Sequence, residues 1–386
     1  MPTFLTDELD CLFAEALTQG VFPGGVFGIS CWQPSARQSV IKAYGNLWAA
    51  GLGPPDNPPM TEEVVFDLAS LTKPLATGLG LFCLKRQGLL RLNDCLPALL
   101  GRRVPPDKSA ITLAQLLQHS SGLPAHRPYF ERLRTLPAEA RKEALLAMVL
   151  AEPLASPPGE IVVYSDLGYM LLGLIIEEKA RQSLDRFVAQ WVYAPLGLDM
   201  GLAFNPPGSS VFPEGTCFAP TEDCPWRRRI LQGEVHDDNA HALGGVSGQG
   251  GLFGTAAAVL ALTRFLLDLS KGRGKHPYLA ASDLRNAVSL RGPAGSTWGL
   301  GFDTPSARQS SAGDLLSRLS FGHLGFTGTS FWCDPERDLA VVLLTNRVHP
   351  SRENTLIREF RPRFHDAVAR QCEVSVAVPD ETIGQK

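Results

Sequence analysis

The chain is 386 residues long, 44% hydrophobic and 19% charged, with a formal net charge of −3. This composition supplies ample core for one large domain or for two to three smaller ones. The near-neutral balance gives no electrostatic footprint for nucleic acid or an anionic membrane, so neither is expected as a partner.

At the N-terminus Leu5, Leu9, Leu12, Phe13, Ala16 and Leu17 recur at helical spacing, and Gly20 stops the run. Asp7, Glu8 and Asp10 lack a basic flank and a following cleavage site, which does not read as a secretory leader. No apolar run approaches the ~20 residues that a membrane span needs. The expected setting is therefore cytoplasmic. Residues 24–32 and 40–44 read as a hairpin rich in β-branched and aromatic residues. Ser70 opens a helix reaching to about Gln87, with Pro74 tolerated because it falls in the first turn.

From about 89 to 198 the pattern is mainly helical, with periodic segments at 111–118, 137–150, 169–180 and 184–192. The Pro/Gly-rich stretch 205–215 reads as a surface crossing, and 256–270 as a further helix. Segments 330–333 and 339–344 read as strands joined by Asp334-Pro-Glu-Arg-Asp338, and 362–371 as a last helix. Strands at both ends with helices between predict an α+β fold, its antiparallel sheet built from both termini and flanked by helices. The expected layout is a single catalytic unit over 1–386. Segments 1–75 and 215–386 form an α/β subdomain, 76–214 a mainly helical one, and a cleft between them holds ligand.

Eight scattered cysteines without C-x-x-C pairs read as buried reduced thiols. Eight histidines show no metal-binding spacing, so no metal site is expected.

Ser70-Leu-Thr-Lys73 carries the chemistry. A serine hydroxyl is a poor nucleophile until a base takes its proton, and S-x-x-K sets a candidate base on the hydroxyl's helical face. Alone it is a weak signal, because chains of this size hold such a pair by chance. Tyr164-Ser-Asp166 and His323-Leu-Gly325 follow in the order of the S-x-x-K, S-D-N and K-T-G set, which makes the constellation far stronger.

Six segments, three of them extending these motifs, sharpen the pattern: Phe66-Asp-Leu-Ala-Ser-Leu-Thr-Lys-Pro74, His119-Ser-Ser-Gly-Leu-Pro124, Tyr164-Ser-Asp-Leu-Gly168, His236-Asp-Asp-Asn239 with Gly244-Gly245, Trp298-Gly-Leu-Gly301, and Gly322-His-Leu-Gly-Phe-Thr-Gly328. On these the chain resembles the class C β-lactamase-related serine hydrolases, a group of β-lactamases, DD-peptidases, D-aminopeptidases and esterases. Within it the segments look most like a branch of cell-wall-recovery amidases that release the peptide from N-acetylmuramic acid. The resemblance implies a β-lactamase/transpeptidase-like fold and an acyl-enzyme mechanism without a cofactor. It makes Ser70 the nucleophile, Lys73 its helical partner and Tyr164 the proton-exchanging tyrosine. The backbone N–H groups of Ser70 and Phe326 become the oxyanion hole. Lysine and tyrosine both have reference pKa values near ~10, so neither alone is assigned as the base.

Two positions depart from that pattern. Asp166 stands where class C enzymes have asparagine, and an ionised aspartate only accepts hydrogen bonds. It either receives a substrate N–H or ammonium, or simply anchors Lys73. His323 replaces the K-T-G lysine, so with Gly325 it is expected on the substrate-binding wall but without a permanent charge for a carboxylate.

Elsewhere, Gly244 to Gly254 lacks the Lys-Ser/Thr of a phosphate loop and reads as a turn-rich wall. His236 and Asp237 either line the pocket or serve structural hydrogen bonds; His119 shapes a turn; Asn346-Arg347 reaches the cleft or caps it. The substrate expected is a small-molecule or peptide amide or ester, a muropeptide among them. The rivals are a broad carboxylesterase or weak β-lactamase of the same fold, and a non-catalytic scaffold. Intact Ser70, Lys73 and Tyr164 count against the scaffold.

Overall fold

The computed structural model describes residues 6–32, 37–209 and 211–376. Strands β1 (Gly24–Trp32) and β2 (Arg37–Gly45) form the expected N-terminal hairpin, paired from Gly24↔Gly45 to Trp32↔Arg37. Four short strands follow: β3 (Phe66–Asp67), β4 (Leu202–Phe204), β5 (Asp223–Cys224) and β6 (Arg229–Ile230). Then come β7 (Leu252–Gly254), β8 (Phe321–Leu324), β9 (Ser330–Asp334) and β10 (Leu339–Thr345). The main sheet is antiparallel, in the order β2-β1-β10-β9-β8, and is assembled from the two ends of the chain.

β10 shows why the sheet needs cover on both sides. Leu339, Val341 and Leu343 enter one apolar cluster with Leu9, Phe13, Phe360 and Phe364. Their neighbours Ala340, Val342 and Leu344 enter another with Val259, Leu260 and Leu266. A continuous apolar run is what a strand buried on both faces requires. Helices Asp7–Thr18 and Ile357–Val376 cover the first face, and helix Ala256–Ser270 the second. The first helix begins at Asp7; the expected position Leu5 lies outside the described residues.

The second cluster runs on into a helical lobe around helix Asp166–Ala180, which is apolar on nearly all sides. Helices Leu113–Leu117, Ala138–Ala151 and Leu79–Arg86 surround it. The glycine-rich stretch after Gly244 is pressed against this helix, and a Cβ on Gly248 would overlap the Tyr169 carbonyl. A three-stranded sheet, β3-β7-β4, lies at the junction of sheet and lobe, just before Ser70.

All eight cysteines are free thiols, but not all are buried: Cys11 and Cys217 are exposed and Cys95 partly so. Among the described residues no helix is long and apolar enough to cross a membrane.

Candidate active site

The turn carrying Ser70 is built by Asp67. Its buried carboxylate accepts the N–H of Ala69 at 2.8 Å and of His236 at 2.7 Å. Ala69 is thereby held at φ +47°, a left-handed conformation costly for a residue with a Cβ. Thr72 Oγ1 braces the turn by donating to the Ala69 carbonyl at 2.6 Å. The uniform helix expected from Ser70 is in fact three pieces: a 3₁₀ turn Ala69–Leu71, a π-helical stretch Lys73–Gly78, and helix Leu79–Arg86. In an α-helix the ring of Pro74 would meet the carbonyl of Ser70, and a wider turn avoids that clash.

Lys73 is fully buried. Its Nζ lies 3.0 Å from Ser70 Oγ, 3.0 Å from the Gln249 carbonyl and 2.8 Å from Asp166 Oδ1. It also sits 4.9 Å from the centroid of the Tyr164 ring. The Tyr164 phenol feels both Lys73 and Ser70, so nucleophile, lysine and tyrosine form one polar cluster. Burial alone would push the lysine down; the Asp166 carboxylate and the Tyr164 phenol outweigh it and hold the ammonium above its ordinary range. Burial raises the Tyr164 phenol, and the neighbouring ammonium only partly offsets this. Asp166 is pushed up by burial but held well below the usual carboxylate range by Lys73 and His126.

Helix Asp166–Ala180 places the tyrosine motif. Ser165 is its N-cap, accepting from the Gly168 N–H at 3.2 Å and donating to the Pro124 carbonyl at 2.7 Å, so this serine is structural. His119 accepts the Ser165 N–H through Nδ1 at 3.0 Å, and its ring lies 4.5 Å from that of Tyr164. Trp298 packs on the same tyrosine at 5.3 Å. The turn-forming histidine thus fixes the backbone and the ring of the Tyr164 segment together.

Phe326 is brought beside Ser70 by two clamps. Thr327 Oγ1 donates to the Asp67 carbonyl at 2.7 Å, and Thr329 Oγ1 to the Leu68 carbonyl at 3.1 Å. Among the described residues the N–H groups of Ser70 and Phe326 have no acceptor, as an oxyanion hole requires. Both residues line a cavity of about 350 Å³ with Tyr164, Asp166, His236, Asp237 and Gln249. Asp237 also caps the helix that follows it, and His236 bonds Glu222 at 3.2 Å and stacks on Phe326. The pocket and structural readings of this pair therefore both hold.

His323 and Gly325, expected on the substrate-binding wall, are buried and do not number among the residues lining this cavity. His323 is 1% exposed, pressed against Trp298, and its Nδ1 donates to the Leu324 carbonyl at 2.7 Å. Burial and the Lys73 charge push its pKa down to about 3, so it is neutral at any physiological pH. Gly325 is closed in because a Cβ there would overlap Thr329 Oγ1 and the Leu68 carbonyl. Gly325→Ala should therefore destabilise the fold by about 1–3 kcal/mol and lower turnover, since the clash bears on the turn that carries Phe326. Paired thermal melts and kcat values test this; an unchanged melt would remove the packing argument.

Two cavity residues carried no motif signal, His126 and Arg352, whereas Gln249 and Gly250 come from the glycine-rich stretch read as a wall. His126 lies 3.4 Å from Asp166 Oδ2. Arg352 bonds Glu222 through both Nε and Nη2, and approaches Asp238 at 3.4 Å. Asn346 is buried and ties together Gly24, Leu47 and Pro220 without reaching the cavity.

An antiparallel sheet faced by helices, with Ser-x-x-Lys at the junction with a helical lobe and a tyrosine reaching both side chains, defines a β-lactamase/transpeptidase-like serine hydrolase. Comparison with known proteins agrees. The beta-lactamase family model matches residues 13–361, and the chain belongs to that family. A protein of Salmonella agona (strain SL483) named "Putative D-alanyl-D-alanine carboxypeptidase" is 32% identical over 313 residues, 75% of this chain and 71% of its own length. Among solved structures, EstCE1, described as a hydrolase with promiscuous acyltransferase activity, superposes with a TM-score of 0.69 at 22% identity, covering 92% of this chain and 98% of its own. The octameric penicillin-binding protein homologue from Pyrococcus abyssi gives a TM-score of 0.67 at 20% identity, covering 88% and 73%. At such identities the structural likeness speaks for the fold alone.

Proposed function

We propose that this serine hydrolase works through an acyl-enzyme on Ser70 and acts on neutral amides or esters, a small peptide amide or muropeptide among them. The observation that carries this is the buried Lys73 ammonium, 3.0 Å from Ser70 Oγ and 4.9 Å from the Tyr164 ring centroid, with Ser70 and Tyr164 lining a cavity of about 350 Å³. Once the Lys73–Tyr164 pair has given up one proton to solvent, Ser70 Oγ attacks the carbonyl as its own proton passes to the pair. The negative charge on the carbonyl oxygen falls on the N–H groups of Ser70 and Phe326. The pair returns the proton to the leaving amine or alcohol, and water then repeats the sequence on the acyl-serine.

The preference for uncharged substrates rests on charge. Asp166, Asp237 and Asp238 line the cavity, while its basic side chains are already engaged, Arg352 by Glu222 and Asp238 and His126 by Asp166. His323 supplies no cation. A substrate carboxylate therefore meets more negative than free positive charge. The comparison to make is kcat/KM for a neutral nitrophenyl ester, a muramoyl peptide and nitrocefin. The ester or amide should lead by a wide margin; nitrocefin turned over as well as the best of them would defeat the reading.

A second reading, a carboxypeptidase on peptides ending in D-Ala-D-Ala, draws on the name of the Salmonella relative and on Arg352 at the cavity wall. Release of D-alanine from such a peptide at a rate exceeding the neutral amides would favour it.

A further inference from the structure

Among the described residues Arg361 is a buried cation without a counterion. It projects from helix Ile357–Val376, is 7% exposed, and among the described residues has no carboxylate within ion-pair distance. Its Nη2 donates to two carbonyls instead, Gly325 at 2.6 Å and Thr329 at 2.9 Å, while its Nε finds no partner. Burying a charge in this way is costly, and a neutral donor would serve the turn more cheaply.

The carbonyl it holds explains the cost. The Gly325 C=O and the Phe326 N–H belong to one conjugated peptide unit, so charge placed on the oxygen is felt at the nitrogen. Among the described residues that N–H, like the Ser70 N–H, has no acceptor, and Phe326 shares the cavity with Ser70. The next carbonyl is held as well: Arg347 Nε donates to the Phe326 oxygen at 2.8 Å, and its guanidinium lies 4.4 Å from the Phe326 ring centroid. The two arginines grip the peptides on either side of Phe326 and fix the direction of its N–H. Burial, with Arg347 and Arg358 nearby, brings the Arg361 guanidinium down to about 9, which leaves it cationic at pH 7.

We propose that Arg361 is a positioning residue for acyl transfer: its guanidinium, bonded to the Gly325 carbonyl, polarises the Gly325–Phe326 peptide and strengthens the Phe326 N–H as a donor to the developing oxyanion. This rests on Phe326 serving the oxyanion hole, as in the function proposed above. It extends that role to a residue that never touches substrate.

The test is vibrational. The enzyme is acylated with a slowly hydrolysed ester carrying ¹³C at the carbonyl, and the acyl C=O stretch is read by infrared difference spectroscopy. In Arg361→Gln the stretch should move to higher wavenumber, and kcat should fall by up to about 100-fold, the lower end of what a lost oxyanion donor costs, with KM nearly unchanged. Arg361→Lys, which keeps a charge, should fall between Gln and wild type in both readouts. A kcat that drops while the carbonyl frequency stays at the wild-type value would overturn the proposal, leaving Arg361 as a prop for the turn. If Arg361→Gln does not fold, Arg361→Lys is judged by the same criterion: frequency and rate moving together support the proposal, and rate alone defeats it. Failure of the wild type to acylate at Ser70 is a distinct result, and it removes the functional reading together with this one.

Discussion

Ser70→Ala should abolish turnover and covalent labelling by a serine-directed phosphonate while leaving the thermal transition almost where it was. Catalysis should collapse because two serines of the neighbouring segments are already engaged. Ser165 is spent on capping its helix and on the Pro124 carbonyl, and Ser247 donates to the Gln249 side chain. Stability should barely move because Ser70 Oγ caps no helix. Losing its bond to Lys73 costs about 0.5–1.5 kcal/mol at most, and the ammonium keeps Asp166 and the Gln249 carbonyl. Mass spectrometry of the phosphonate adduct, set beside a thermal melt, decides the matter. An adduct of equal yield in the variant would move the nucleophile elsewhere; a collapsed melt would show that the hydroxyl is structural.

The parts of this site legible in sequence were those whose signal is local. Ser70, Lys73 and Tyr164 sit in short motifs with helical context, and they meet in the structure as that pattern implies. β10 was legible for the same reason, as an apolar run beside a turn signal. Other elements escaped because their cause is tertiary. β3, β4 and β7 are only two or three residues long, and pairing with each other is what makes them strands. β8 consists of Phe-Gly-His-Leu, which shows no clean alternation, so the packing of His323 beneath Trp298 could not be foreseen. Arg352 and Arg361 carry no motif at all. Each matters through what the fold sets beside it, a cavity wall for one and a single carbonyl for the other.

Lys73 and Tyr164 should behave as one unit under mutation. Lys73→Met and Tyr164→Phe should each lower kcat/KM by several orders of magnitude, and the double variant should be little worse than the worse single one. The ammonium is held charged by Asp166 and the phenol is raised by burial, so the resting site holds neither lysine nor tyrosine in its basic form. The competent state has lost one proton from the pair, with the remaining charge shared between them. Both groups lie above their ordinary range, so that state becomes more populated as pH rises, and kcat/KM should climb through neutrality into the alkaline range rather than level off near pH 7. Asp166→Asn removes the carboxylate that holds Lys73 protonated, so its rising limb should shift to lower pH. The measurements are kcat/KM against pH for wild type and Asp166→Asn, and the double-mutant cycle at one pH. Losses that simply add would show that lysine and tyrosine do not share the proton transfer. A limb that moves to higher pH in Asp166→Asn would show that the carboxylate assists proton removal instead of opposing it.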